Sequence, residues 1–242
     1  MVAKLKKHQS GFTLVEIAIV LVIIGLLLGG ILKGQELITS ARVRNLADQN
    51  SGVQAAYYGF IDRYRQVPGD MSTANATAAI GANNIPATRG ADTGNTGNGR
   101  LDVGDWNEAA NVWVDLSAAG FINGRYNGGA NTEATYAVAL IAPVNAFNGS
   151  IALTRGAQYQ VTAPEVASPR QLFFTGRQIP VNVMRELDVK IDDGQPTRGV
   201  LRATPAGAGQ VTASDAVTAC VNAAGIWDIN ANSADCGAAY LY

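Results

Sequence analysis

Apolar residues are unevenly distributed along this chain, and the longest unbroken stretch of them lies near the N-terminus. Residues 12–32 are almost all apolar or glycine, and they follow a short leader with three lysines. As a helix, the 21 residues of this run span about 31 Å, which is enough to cross the hydrocarbon core of a bilayer. The pattern therefore predicts a membrane-spanning helix at residues 12–32.

Beyond this run the apolar residues recur with the spacing of one helix face, and polar residues lie between them. No proline interrupts the pattern before Pro68. We predict one helix over residues 12–64, apolar all round in its first half and amphipathic in its second. A break near Gly34 or Gly52 stays open as an alternative, because glycine weakens a helix by about 1 kcal/mol. The apolar positions of the second half are Leu46, Val53, Tyr57, Phe60 and Tyr64.

The rest of the chain predicts an α+β fold, in which an antiparallel sheet packs on the amphipathic half of the helix. Residues 69–105 are rich in Gly, Asn, Thr and Asp and predict a long irregular connection. A helix is expected to start near Asp105 or Asn107, with Asp105 as its cap, Glu108 completing a capping box and Gly120 as the stop. A further short helix is predicted at residues 181–192. Strands are predicted at residues 135–141, 149–154, 158–162, 171–175 and 199–204.

The sole histidine of the chain is His8, which lies in the basic leader. A chain that loses this leader has no His-dependent triad and no His-ligated metal. It also keeps 15 basic and 19 acidic side chains, and this balance argues against broad nucleic-acid binding. Paired carboxylates can hydrolyse glycosides, but no such pair stands out. We therefore expect no enzyme.

Two cysteines, Cys220 and Cys236, lie near the C-terminus. In an exported chain an even pair favours a disulfide, which would contribute about 3 kcal/mol in the chain-entropy model. Two buried free thiols are the alternative.

Glu16 is the one charged residue inside the apolar run. A carboxylate at bilayer depth costs on the order of 2–4 kcal/mol, so its presence suggests a function. The basic leader, Gly11, Phe12 and Glu16, followed by the apolar helix, resemble the class III signal of type IV prepilins and pseudopilins. An ordinary secretory signal would show a small-residue site after the run, and none follows Leu32. A plain membrane anchor would leave Glu16 unexplained.

The resemblance implies that a prepilin peptidase cleaves between Gly11 and Phe12, and that Phe12 is N-methylated. The parts are then a leader at residues 1–11, a long helix at 12–66 and a head domain at 67–242. Glu16 would align each subunit in a filament by pairing with the Phe12 amine of a neighbour. The expected partners are other pilin subunits and the peptidase/methyltransferase, with no nucleic acid.

The expected location is the inner membrane before assembly, and then an extracellular pilus or a periplasmic pseudopilus. The cysteine pair resembles the C-terminal disulfide region of type IV pilins, which major pseudopilins usually lack. A type II secretion pseudopilin and a minor pilin acting in adhesion or DNA uptake remain alternatives.

Residues 94–105 partly resemble a calcium loop, in which Asn98, Asp102 and Asp105 are candidate ligands. Position one is glycine, and only two carboxylates are present, whereas calcium prefers six to eight oxygen ligands. A hydrogen-bonded turn is the favoured interpretation. A second acidic turn, Asp192–Asp193–Gly194, is another candidate ion site, and no other cofactor is expected.

Overall fold

The first element, α1, is a single helix of 51 residues, and neither Gly34 nor Gly52 interrupts it. The computed structural model describes residues 13–92, 96–130, 132–138, 140–214 and 217–242. Within these residues the chain divides after Ala41 into two units. The helices are α1 Leu14–Tyr64, α2 Thr73–Ile80, α3 Trp106–Ala118, α4 Glu133–Tyr136, α5 Val181–Ile191 and α6 Val217–Cys220, and the strands are β1 Ala152–Gly156, β2 Arg170–Phe174, β3 Leu201–Ala203 and β4 Ala238–Leu241.

The second unit, residues 42–242, buries one face of the amphipathic half of α1 in its core. The predicted positions Leu46, Val53, Tyr57 and Phe60 are all buried, and Tyr64 is half-buried. The hydroxyl of Tyr57 donates to Gln171 Oε1 on β2 at 3.4 Å. The predicted packing of this helix face against the sheet is confirmed.

The sheet has four antiparallel strands in the order β1-β2-β4-β3. Three of the five predicted strands are confirmed, although β1 begins at Ala152 rather than at residue 149. The C-terminal strand β4 was not predicted, yet it lies inside the sheet, where Tyr240 is paired with both Phe173 and Leu201.

Two predicted strands are wrong. Residues 135–141 begin inside the short helix α4, which Thr132 caps through a capping box with Thr135. The apolar side chains of Val138 and Leu140 in this segment are exposed, so they do not indicate a buried strand. Residues 158–162 make one backbone hydrogen bond to a strand, from the Gln160 N–H to the carbonyl of Ala203, and form no strand themselves.

The connection at residues 69–105 is less irregular than predicted, because it contains α2. Ser72 caps this helix, and its hydroxyl accepts a hydrogen bond from the Asn75 N–H at 3.2 Å. The predicted helix that follows is confirmed as α3, and Asp105 accepts from the backbone N–H groups of Asn107 and Glu108. Gly120 follows the helix end with a φ of 80°, a conformation that suits glycine.

The predicted capping box of α3 is only half formed. The carboxylate of Glu108 accepts from the Asp102 N–H at 2.6 Å instead of reaching back to the N-cap backbone. The cap is therefore made by Asp105 alone, and Glu108 holds the preceding loop.

The predicted disulfide is confirmed. Cys220 and Cys236 are bonded, with their Cα atoms 5.8 Å apart, and both are buried. The backbone of Cys236 also exchanges two hydrogen bonds with Ile179, just before α5. The bridge thus fastens the 220–236 loop at the point where β4 begins.

Candidate functional site: an apolar helix face with one carboxylate

The apolar side chains of the first unit have no protein core around them. From Leu14 to Leu32, every large apolar side chain is between 46% and 85% exposed. By length and composition, α1 can cross a membrane. A surface of this size and polarity is normally covered by lipid or by other apolar helices. The first half of α1 therefore has the character of a segment that contacts lipid or other apolar helices.

Glu16 forms a capping box with Thr13 at the start of α1. The Thr13 N–H and hydroxyl donate to Glu16 Oε2 at 2.7 and 2.8 Å. In return, the Glu16 N–H donates to Thr13 Oγ1 at 3.3 Å. The box satisfies helix N–H groups that would otherwise lack partners. The Thr-x-x-Glu spacing is the sequence signal for this box, whereas the prepilin resemblance implies only an assembly role for Glu16.

Both hydrogen bonds that Thr13 donates end on the same oxygen of Glu16. The other carboxylate oxygen, Oε1, is not used by the capping box. Gly11 and Phe12, the predicted cleavage and methylation residues, lie outside the described residues, so their roles stay predictions. The assembly role of Glu16 is likewise untested by the geometry of one chain.

Comparison with known families bears on this same segment. Residues 6–32 match the family model of the prokaryotic N-terminal methylation motif. Together with the long apolar helix, this motif matches a type IV pilin or pseudopilin. The motif is a structural pilin signal and not an enzyme family. Searches of curated proteins and of solved structures found no match for the chain.

The head of this pilin-like chain contains a second group of polar residues, around the predicted calcium loop. Asn98 donates to Asp102 Oδ2 at 2.9 Å, and Arg100 donates to Asp102 Oδ1 at 3.3 Å. Asp105 is engaged in capping α3. These contacts are those of a hydrogen-bonded turn, and calcium binding by Asn98, Asp102 and Asp105 stays a prediction.

The loop is organised by a residue that the sequence did not single out. Asp70 is buried, and its carboxylate accepts three backbone hydrogen bonds, from Gly97, Asn98 and Gly99, at 2.6–3.2 Å. Nearby, Glu108 is also buried, and its Oε1 has no hydrogen-bond partner. Burial raises the pKa of Glu108 to about 7, and the negative charges of neighbouring carboxylates, chiefly Asp105, add to this shift.

A buried ion pair ties the connection to α3. Arg89 donates from Nε and from one terminal nitrogen to the two carboxylate oxygens of Asp115, both at 3.1 Å, and the two side chains are 1% and 0% exposed. Arg89 also donates to the Met71 carbonyl at 2.7 Å, and the Gly69 N–H donates to Asp115 at 2.8 Å. The pair therefore fixes both ends of the 69–89 segment on one helix.

A third polar group lies at the C-terminal end of α5. One carboxylate oxygen from each of Asp188, Asp192 and Asp193 lies within 4.8 Å of the other two. The sequence pointed to Asp192–Asp193 as an acidic turn, but not to Asp188, because its position one helical turn earlier looked like an ordinary polar helix position.

Proposed function

We propose that this chain is a structural subunit of a type IV pilus or a related filament. It would polymerise through its N-terminal helix after cleavage between Gly11 and Phe12 and N-methylation of Phe12. The observation that carries the proposal is the methylation motif at residues 6–32, joined to a helix whose apolar side chains have no cover in the folded chain. The same helix and signal are consistent with membrane anchoring before assembly.

In this proposal, Glu16 pairs with the Phe12 amine of a neighbouring subunit. Buried charges are tolerated in apolar surroundings when they are paired. The capping box supports the pairing, since Thr13 holds the carboxylate in place through one oxygen and leaves the other for a second donor. Such a pair would set the axial register of subunits more than it would stabilise the filament.

The partners would be other pilin subunits and a prepilin peptidase/methyltransferase, with an extracellular pilus as the final location. The Cys220–Cys236 bridge supports a pilus over a secretion pseudopilus, because it resembles the disulfide region of type IV pilins. A pseudopilin of type II secretion is the second candidate. Loss of protein secretion without loss of surface fibres, on deletion of the gene, would favour that role.

The first experiment is to determine the N-terminal sequence and intact mass of the protein in sheared surface material and in membranes. A chain that begins at methylated Phe12 in the sheared fraction is the expected result. Processed chain found only in the membrane would favour the pseudopilin. An unprocessed chain in cells with an active peptidase would contradict the proposal.

The second experiment separates the two roles of Glu16. Glu16→Gln keeps a side chain that can serve a capping box but removes the charge, whereas Thr13→Val removes the box and keeps the charge. We expect Glu16→Gln to insert into the membrane and fail to form filaments, and Thr13→Val to assemble at a reduced level. Glu36→Gln is the matched control, because Glu36 lies on the same helix, is exposed and pairs with Lys33. Normal filament numbers in Glu16→Gln would refute the charge pairing.

A further inference from the structure

The acidic group at the end of α5 has an unusual distribution of burial. Asp188 has no exposed surface, Asp192 is half-buried and Asp193 is exposed. One oxygen of each lies within 4.8 Å of the others. The three carboxylates thus line a short path from the core to the surface.

The carboxylate of Asp188 is only half satisfied by the protein. Its Oδ2 accepts a hydrogen bond from the indole Nε1 of Trp227 at 2.7 Å, in the disulfide loop. Its Oδ1 is buried and accepts no hydrogen bond of normal geometry, although the Gly194 amide approaches the carboxylate. An unpaired carboxylate oxygen in the core is costly, and its position beside two other carboxylates indicates a missing positive partner.

The part of the chain that the structure describes supplies no such partner. Among the residues that the structure describes, no lysine or arginine forms an ion pair with Asp188, Asp192 or Asp193. The group also lies at the C-terminal end of α5, where the helix dipole is negative and favours a cation. Charge repulsion and the helix dipole therefore act in the same direction.

Backbone hydrogen bonds hold the two outer carboxylates in position. Asp192 Oδ2 accepts from the N–H groups of Val200 and Leu201, at the start of β3. Asp193 Oδ1 accepts from the Gln195 N–H at 2.8 Å. Each of these bonds uses one carboxylate oxygen, so each side chain keeps a second oxygen for a ligand.

We propose that Asp188, Asp192 and Asp193 form a divalent-cation site whose occupant is Ca²⁺. Oxygen ligands lie 2.3–2.6 Å from Ca²⁺, so two ligands of one ion are separated by at most about 5 Å. The observed limit of 4.8 Å satisfies this condition. Mg²⁺ binds its ligands at about 2.0–2.1 Å and demands a near-ideal octahedron. Three side chains on a helix end and a turn are less suited to that geometry.

The bound ion would connect three parts of the head. Asp188 belongs to α5 and contacts Trp227 of the disulfide loop, while Asp192 is hydrogen-bonded to β3. Burial raises the pKa of Asp188 to about 6, and the charges of Asp193 and Asp192 add to this shift. The hydrogen bond from Trp227 and the approach of the Gly194 amide act in the opposite direction.

The test uses the full-length mature chain in detergent, with Tb³⁺ as a luminescent substitute for Ca²⁺. Trp227 donates to a proposed ligand, so excitation of tryptophan should sensitise Tb³⁺ luminescence, and added Ca²⁺ should quench it by displacement. Ca²⁺ should also raise the melting temperature, with half-saturation in the range of about 10⁻⁴–10⁻³ M typical of extracellular calcium modules.

The variants distinguish a site from general charge attraction. Asp193→Asn removes an exposed ligand with little risk to folding, and Asp188→Asn keeps an acceptor for Trp227. Each should weaken Ca²⁺ binding by at least the roughly 10–100-fold loss that is typical of changes just outside the ligand shell. Trp227→Phe should remove the luminescence, and it should weaken the Ca²⁺-dependent stabilisation less than Asp188→Asn does, because Trp227 donates to a proposed ligand and is not one itself. Asp228→Asn, which removes a charge from the disulfide loop outside the group, should leave both unchanged.

The proposal is overturned if the wild-type chain shows no Ca²⁺-dependent stabilisation at millimolar Ca²⁺. It is also overturned if Asp193→Asn and Asp228→Asn bind Ca²⁺ equally well. An equal response to Mg²⁺ and Ca²⁺ would contradict the assignment of Ca²⁺. None of these readouts requires filament assembly, so the result does not depend on the proposed function.

Discussion

Replacement of Arg89 by methionine should strongly destabilise the head. The substitution removes both hydrogen bonds to Asp115 and leaves the Met71 carbonyl without its donor at 2.7 Å. Asp115, whose pKa burial already raises, would remain as an uncompensated charge or take up a proton. Removal of one partner from a buried pair costs about 3–5 kcal/mol.

The loss can be measured by thermal unfolding of the mature chain in detergent, followed by circular dichroism. For 150–250 residues, 1 kcal/mol corresponds to about 2–4 °C, so the melting temperature should fall by roughly 6–20 °C. Arg100→Met is the matched control, because the Arg100 side chain is 62% exposed in its pair with Asp102, and solvent-screened pairs contribute at most about 1 kcal/mol.

A double variant tests the physical cause. Asp115→Leu combined with Arg89→Met buries no charge, so it should recover part of the stability that Arg89→Met loses. Recovery should be incomplete, since the Gly69 N–H and the Met71 carbonyl both lose their partners. If Arg89→Met unfolds within about 1 kcal/mol of Arg100→Met, the buried pair does not hold the connection on α3 and the reasoning is wrong.

Three further outcomes follow from the head. The raised pKa of Glu108 means that the native state favours the protonated form, so stability should fall as the pH rises from about 4.5 through 7. Glu108→Gln should reduce this fall in melting temperature, and an unchanged pH profile in the variant would contradict the reasoning. Replacement of Cys220 and Cys236 by serine should cost about 3 kcal/mol in urea unfolding, and a reductant should then leave the variant unaffected. Phe60→Ala removes a fully buried ring and should cost about 3–5 kcal/mol, whereas a loss below 1 kcal/mol in the same assay would show that this helix face is not core.

Local patterns in the sequence determined the features whose causes lie within a few residues of one another. The apolar run and the spacing after it predicted α1, because helical periodicity is repeated along the segment itself. The Asp105 cap and the stop at Gly120 bounded α3 for the same reason. The signal around Glu16 is also contiguous, so it could be recognised without a fold and then matched the methylation motif.

Tertiary structure alone decided the features that join distant segments. The short strand β4 has a weak local pattern, and its place inside the sheet comes from pairing with β2 and β3. The local pattern of residues 135–141 misled in the opposite direction, since exposed apolar residues resemble a strand when burial is unknown.

The polar groups of the head follow the same division. Asp70 organises a loop that begins 27 residues later, and Arg89 meets Asp115 across 26 positions. Asp188 gains its significance from Trp227, 39 residues away. A carboxylate in a sequence shows its charge, but burial and partners determine its pKa and its ligands, and both are set by the packing of the whole chain.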